Sequence, residues 1–324
     1  MNAGWRTLGS SVIAGLFALA VSAHVWPQSS ADGDDFQVTL LGTGSPPPVM
    51  NRFGPGVLVQ AGGQTLLIDC GRGVTQRLFQ LGVKLGAADK LFITHLHSDH
   101  IVGIPDLWLT GWLETPFAQR KGAFQVLGPA GTRNMMESLE KAYEWDIRTR
   151  IADQKLAKEN IAVAVTEIKE GIVYDRDGVK VTAFEVDHGD LIKPAFGFRI
   201  DYGGRSAVLS GDTRPSENLI RHATGTDLLI HSVAAVRLEL LASPVFQAIL
   251  AHHTKPEEAG VVFTRTKPKL AVFSHITLLG TAQVPAVSAQ EVFETTRKNY
   301  SGPLLVGEDL MVFRVGRQGV SVKK

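Results

Sequence analysis

The sequence predicts an α/β fold arranged as one four-layered domain, on three observations. Short apolar runs cut by Gly and Pro clusters read as strands. They come in two batches, each trailed by helical patterns, as in a layered molecule. Between the batches no stretch is rich enough in Pro, Gly or Ser to mark a domain break.

The first batch opens with three apolar runs of strand length, Phe36–Leu41, Gly56–Gln60 and Gln64–Asp69. A helical pattern at Val74–Leu81 follows, then a strand at Leu91–Thr94 and a helix at Ile101–Leu113. A strand at Phe124–Leu127 and a helix at Thr132–Trp145 close this half. The second batch reads as strands at Val179–Val186, Ala195–Tyr202 and Ser206–Ser210, followed by a helix at Pro215–Ala223. Strands at Asp227–His231 and Lys269–Ser274 flank a helix at Lys255–Thr266. After a helix at Ser288–Asn299 come the last strands, Pro303–Val306 and Leu310–Val315.

The first residues have a different character. Arg6 is the only charge before Asp32, and the apolar run Ser11–Ala23 ends on a small-x-small site. That layout predicts a signal peptide over residues 1–23, cleaved after Ala23, because the run is too short to span a bilayer comfortably. Residues 24–35 read as a flexible lead and 36–324 as the domain. The expected location is periplasmic or secreted, with no stable membrane anchor. Cys70 is the sole cysteine, so intramolecular disulfides are excluded, and its apolar surroundings predict a small buried side chain.

The chain has 324 residues and a formal charge of +1, so no basic field points to nucleic acid, which is not expected as a partner. Its densest basic stretch, Arg148 to Lys158, is interleaved with acids and reads as a solvated face.

The chemistry concentrates in Thr94-His95-Leu96-His97-Ser98-Asp99-His100, right behind a strand. Imidazole and carboxylate without cysteine suit zinc, although manganese or iron would also accept them. His95 and His97 project to one side of an extended stretch, and Asp99 and His100 begin a helix. Each pair can thus serve one of two metals spaced about 3.5–4 Å apart. A His-rich surface turn is the plain alternative. His188, Asp212 and His275 each follow a strand end, where α/β folds gather their chemistry.

Together with Val186-Asp187-His188-Gly189, Ser210-Gly211-Asp212-Thr213 and Phe273-Ser274-His275, the cluster resembles the metallo-β-lactamase-fold hydrolases from about Gln37 to Val315. The resemblance implies an αβ/βα sandwich with a dizinc site at one sheet edge. His95, His97 and His188 would hold one zinc and Asp99, His100 and His275 the other. Asp212 would bridge them, and Asp69 would support the ligand loop. Asp99 and His252 are the catalytic candidates, His252 as proton donor to the leaving group, with His253 beside it as a substrate contact. A metal-bound hydroxide would attack an anionic ester, an aryl sulfate or a phosphodiester. Homodimerisation is a further implication, since this family often dimerises.

Leu40 to Pro46, Gly128 to Gly131 and Gly211 to Pro215 look like ribonuclease Z, the tRNA 3′ endonuclease. Three departures argue against it. His188 and Asp212 are only 24 positions apart, which leaves no room for that enzyme's tRNA-gripping arm. Ser232 follows His231 where that enzyme has a glutamate, and the chain carries a leader and little net charge. The segments Ala251 to Gly260 and Pro268 to Ile276 are similar to a secreted arylsulfatase-like branch, with Trp108, Trp112 and Phe117 near the metal motif as an aryl wall or as core. The expected function is therefore a small-molecule ester hydrolase. Ribonuclease Z is the second reading, and a zinc-binding scaffold with lapsed chemistry is the third.

Overall fold

The structure, a computed structural model, describes residues 35–323. The expected signal peptide and all of the expected lead except Asp35 lie outside the described residues. Asp35 itself is tied down rather than part of a lead: it accepts a hydrogen bond from the Tyr202 hydroxyl and pairs with Arg205 at 3.2 Å.

In chain order the first half contains β1 (Gln37–Gly42), β2 (Gly56–Ala61), β3 (Gln64–Ile68), α1 (Val74–Gln80), β4 (Lys90–Phe92), α2 (Ser98–Ile101), α3 (Ile104–Gly111), β5 (Phe124–Gly128), α4 (Thr132–Ala142), α5 (Glu144–Gln154) and β6 (Val163–Glu167). The second contains β7 (Gly171–Arg176), β8 (Val179–Glu185), β9 (Phe196–Tyr202), β10 (Arg205–Leu209), α6 (Glu217–Ala223), β11 (Leu228–Val236), α7 (Pro244–Leu250), α8 (Pro256–Thr266), β12 (Leu270–Leu279), α9 (Ala289–Arg297), β13 (Leu304–Val306), β14 (Val312–Gly316) and β15 (Gly319–Lys323). One sheet runs β15-β14-β1-β2-β3-β4-β5-β6 and the other β13-β12-β11-β10-β9-β8-β7. In each, antiparallel strands give way to parallel ones, at β3 in the first sheet and at β10 in the second.

Strand periodicity accounts for the layers. Successive side chains face opposite ways, so Leu66 and Ile68 enter the core between the sheets while Leu67 meets the helices outside. Ala207 and Leu209 likewise face inward and Val208 outward, against the second helical layer. Phe92 and Phe198 meet edge-on across the sheets, with centroids 5.7 Å apart. The fold is the αβ/βα sandwich that the resemblance implied. No helix among the described residues is long and apolar enough to cross a membrane.

Several elements depart from expectation. The helix expected over Ile101–Leu113 breaks at Gly103, whose amide donates to the Cys70 carbonyl at 2.9 Å instead of within a helix, and whose missing Cβ permits that close approach. A second helix, α5, follows α4 after a break at Tyr143; it buries no residue. Strands β6, β7 and β15 sit at or near sheet edges with mostly exposed side chains, so they lack the apolar run that betrays a strand.

Candidate metal centre

Every strand that feeds the site ends at the same edge of the sandwich. Past β3, Asp69 takes a left-handed conformation (φ 58°), which turns its carboxylate back onto the next strand's exit. There it accepts hydrogen bonds from the Thr94 amide at 2.8 Å and the Thr94 hydroxyl at 2.9 Å. His100 Nδ1 lies 2.7 Å from the same carboxylate. A carboxylate can only accept, so Nδ1 carries a proton and Nε2 is the nitrogen that faces the cluster. Gly71 permits the close approach of this turn to α2: a Cβ there would lie 2.4 Å from the Asp99 carbonyl oxygen.

From the second sheet, His188 follows β8, and its Nδ1 donates to the His252 carbonyl at 2.9 Å. That again leaves Nε2 for a ligand. Gly211 (φ 60°) turns the chain beyond β10 and brings Asp212 under the cluster; a Cβ there would meet the Phe196 carbonyl oxygen at 2.5 Å. His275 is the extra residue of a bulge: Ser232 pairs with Ser274, but Val233 pairs with Ile276. Its φ of 44° re-aims the ring from the sheet into the site.

All seven expected ligands converge, and every one but His97 is buried. Together with His253, their ligand atoms form four overlapping groups, each within 4.8 Å: His95/His97/His188, His95/His100/Asp212, Asp99/His100/His275 and His188/Asp212/His253. Tetrahedral zinc places neighbouring donors about 3.3 Å apart, from its bond length of about 2.0–2.1 Å. Here His95 Nε2 to His97 Nδ1 is 2.9 Å, His97 Nδ1 to His188 Nε2 is 3.3 Å, and His275 Nε2 to Asp99 Oδ2 is 3.2 Å. Asp212 Oδ2 lies 3.2 Å from His275, 3.5 Å from His100 and 3.9 Å from His188, between the two sets. His100 Nε2 and Asp212 Oδ1 are buried without a hydrogen-bond partner, as groups made to face a cation would be. The donor set therefore fits a divalent metal.

Electrostatics agree. Burial, reinforced by the neighbouring imidazoles, holds His95 well below the usual histidine pKa, and burial lowers His97 and brings His188 to about 4, so these rings are neutral and ready to bind. For Asp212, burial pushes upward, but His275 and His100 outweigh it and keep the carboxyl ionised. His100 is the exception: burial pushes its pKa down, but Asp69 and Asp212 outweigh it and raise it well above the usual value, so a metal bound there would displace the proton on Nε2.

Two residues count for more than the sequence suggested. His253, expected only as a substrate contact, lies buried in the His188/Asp212 group, its pKa lowered by burial to about 3. His231 ends buried beside the cluster; its Nδ1 donates to the Ser232 carbonyl at 2.6 Å and its Nε2 has no partner. Ser232 Oγ is also without one. Both line, with Asp212, a void of about 40 Å³, enough for a water. The neighbouring histidines gave only a weak signal for either residue.

Of the two readings of the aromatics, wall or core, packing accounts for them. Trp108 and Trp112 are core residues, donating to the Ile161 and Ala157 carbonyls at 2.8 and 3.1 Å, and Phe117 packs edge-on against Phe79. His222, on α6, stacks on Phe184 with ring centroids 4.6 Å apart. Cys70 is fully buried, and burial raises its thiol pKa, consistent with an inert core residue.

Two facing sheets with a His/Asp cluster at their shared edge define a metallo-β-lactamase-fold hydrolase. Solved structures agree on the fold. The metallo-β-lactamase fold protein YhfI from Bacillus subtilis superposes with a TM-score of 0.66 at 19% identity, covering 86% of this chain and 98% of that one. The short form of human tRNase Z gives 0.64 at 22% identity, covering 86% and 99%. In sequence, the chain is 37% identical over 280 residues to a ribonuclease Z of Mycobacterium marinum, 85% of this chain and 96% of that protein. The family model for the Anti-Pycsar protein Apyc1 matches residues 36–241. The chain belongs to that family, and its sequence is at the same time related to ribonuclease Z.

Proposed function

We propose that the protein is a phosphodiesterase that works with two zinc ions. The observation that carries this reading is Asp212, whose Oδ2 stands between His188 on one side and His100 and His275 on the other. A carboxylate so placed can be shared by paired metals. His95, His97 and His188 would hold one ion and Asp99, His100 and His275 the other. Bound there, divalent ions supply a water acidified towards neutrality and screen charge on a substrate oxygen. In the reaction the water oxygen joins phosphorus, one ester P–O bond breaks, and the departing oxygen takes up a proton. His252 is the proposed donor. Burial lowers its pKa, and an anionic phosphate within about 4–6 Å would raise it again.

Kinship to proteins named ribonuclease Z favours phosphorus over sulfur, and so weighs against the aryl sulfate. The metal-loaded protein should hydrolyse bis(4-nitrophenyl) phosphate faster than 4-nitrophenyl sulfate, with both rates lost in Asp212→Ala. Preference for the sulfate would reinstate the arylsulfatase reading, and no turnover of either despite bound metal would favour a lapsed scaffold.

Precursor tRNA cleavage is the second reading. It is favoured by the 96% of the Mycobacterium marinum ribonuclease Z that the chain covers, so the missing arm does not separate the two proteins strongly. Against it, the segment between His188 and Asp212 is filled by the β9–β10 hairpin, which turns tightly at Gly203 and Gly204. Release of a 3′ trailer from precursor tRNA by the purified protein would decide for it. Export rests on the leader alone, and N-terminal sequencing after bacterial expression should find a chain starting at His24; a periplasm-free, uncleaved product would overturn it.

A further inference from the structure

Beside the metal ligands runs a cleft of about 220 Å³ whose chemistry is unlike theirs. His95 and His97 form its inner end, so it opens directly onto the metal centre. Its walls are aliphatic and come from separate parts of the chain: Leu96 from the metal motif, Pro129 from the end of β5, and Leu191 with Ile192 from the loop after His188. Leu191 is 98% exposed, a leucine held in water at the mouth of a polar site. The loop that carries it is fixed at both ends. The Gly189 amide donates to Asp187, itself paired with Arg214 at 2.7 Å, and the Phe196 amide donates to the Thr94 carbonyl at 2.9 Å. Lys193, on the same loop, places one cation in the lining.

We infer that this cleft is the subsite for one ester arm of the substrate, and that the arm carries a flat apolar ring, an aryl group or a nucleobase, next to a phosphate that Lys193 and the metals share. The inference rests on the phosphodiesterase reading for the phosphate and on the cleft alone for the ring. Continuity with His95 and His97 places the ring beside the phosphate, joined through the ester oxygen for an aryl group and through a sugar for a nucleobase. A cleft of this size suits one ring system and not a duplex. A single lysine complements one phosphodiester charge, whereas a polynucleotide track needs a run of cations and aromatic platforms. Burying Leu191 and Ile192 against a ring gives the favourable term.

Calorimetric titration of the zinc-loaded protein with diphenyl phosphate and dimethyl phosphate separates ring from phosphate. Diphenyl phosphate should bind about ten-fold tighter, the discrimination that a small apolar contact supplies. Leu191→Ser and Ile192→Ser should each erase most of that preference, and Leu238→Ser, also exposed but outside the cleft, should keep it. Thymidine 5′-(methyl phosphate) as third ligand identifies the source: affinity matching diphenyl phosphate assigns a nucleotide, and affinity matching dimethyl phosphate assigns an aryl ester. Equal binding of the first two ligands by the parent protein, or a preference that survives Leu191→Ser, overturns the subsite. Turnover of bis(4-nitrophenyl) phosphate, followed in parallel, tests the other half. A ring preference without turnover refutes the phosphodiesterase and leaves the cleft standing, and turnover without preference does the reverse.

Discussion

Single side chains decide whether this cluster holds one metal or two. Asp212→Asn keeps the shape of the residue but removes the charge that His100, His188 and His275 surround. Metal content should fall from two ions per chain towards one, and hydrolysis by roughly 100-fold or more, the scale on which metal-site ligation shapes activity. Elemental analysis beside a rate measurement checks it; unchanged metal content would remove the shared-carboxylate argument. His231 makes a different test, since it is buried beside the ligands without being one of them. Burial lowers its pKa to about 4 in the fold, from 6.5 when free. Below pH 6.5 the unfolded chain gains a proton that the native one refuses, so the stability this group contributes is present above pH 6.5 and is lost as pH falls to about 4. Linkage puts the full effect at about 3 kcal/mol. Urea midpoints of the metal-free protein at pH 7.5 and pH 5 should therefore converge in His231→Asn relative to the parent, and an equal loss in both would refute the assignment.

At the scale of elements, the site depends on irregularities at strand ends. His275 reaches the cluster only because β12 bulges there, with backbone in the left-handed region that Asn tolerates better than most residues. His275→Asn should thus bind one metal less while the metal-free protein melts within about 1 kcal/mol of the parent; a large loss of stability would show that the ring, not the bulge, shapes this edge. The bulge itself was not legible in the sequence. The strand before it was, because Leu270 to Phe273 is an unbroken apolar run, and so was the chance of a ligand just beyond. Ligand identity was readable for the same reason throughout: His95 to His100, His188, Asp212 and His275 all sit directly past strong strand signals. Elements with exposed faces, β6, β7 and α5, bury little and so carry no apolar periodicity in the sequence to mark them. The placement of His231 and His253 depends on how the second sheet's loops pack, which no local pattern encodes.

On the scale of the whole molecule, the cluster joins the two sheets. His95, His97, Asp99 and His100 hang from the first, and His188, Asp212 and His275 from the second. Ions bound between them reward only the folded arrangement, since the unfolded chain has no such site. At free metal 100 times the dissociation constant this linkage adds about 2.7 kcal/mol. A domain of this size should gain a few degrees per kcal/mol, so chelation should lower the melting temperature by roughly 5–10 °C. The loss should appear as one shifted transition and not as two. Phe92, Phe198 and their neighbours make a continuous core between the sheets, so neither sheet keeps its inner face dry without the other. Phe198→Ala, which costs about 3–5 kcal/mol in such a core, should lower the same single transition in both metal-loaded and chelated protein. Two heat-absorption peaks after chelation would mean that the metals, rather than the shared core, hold the halves together.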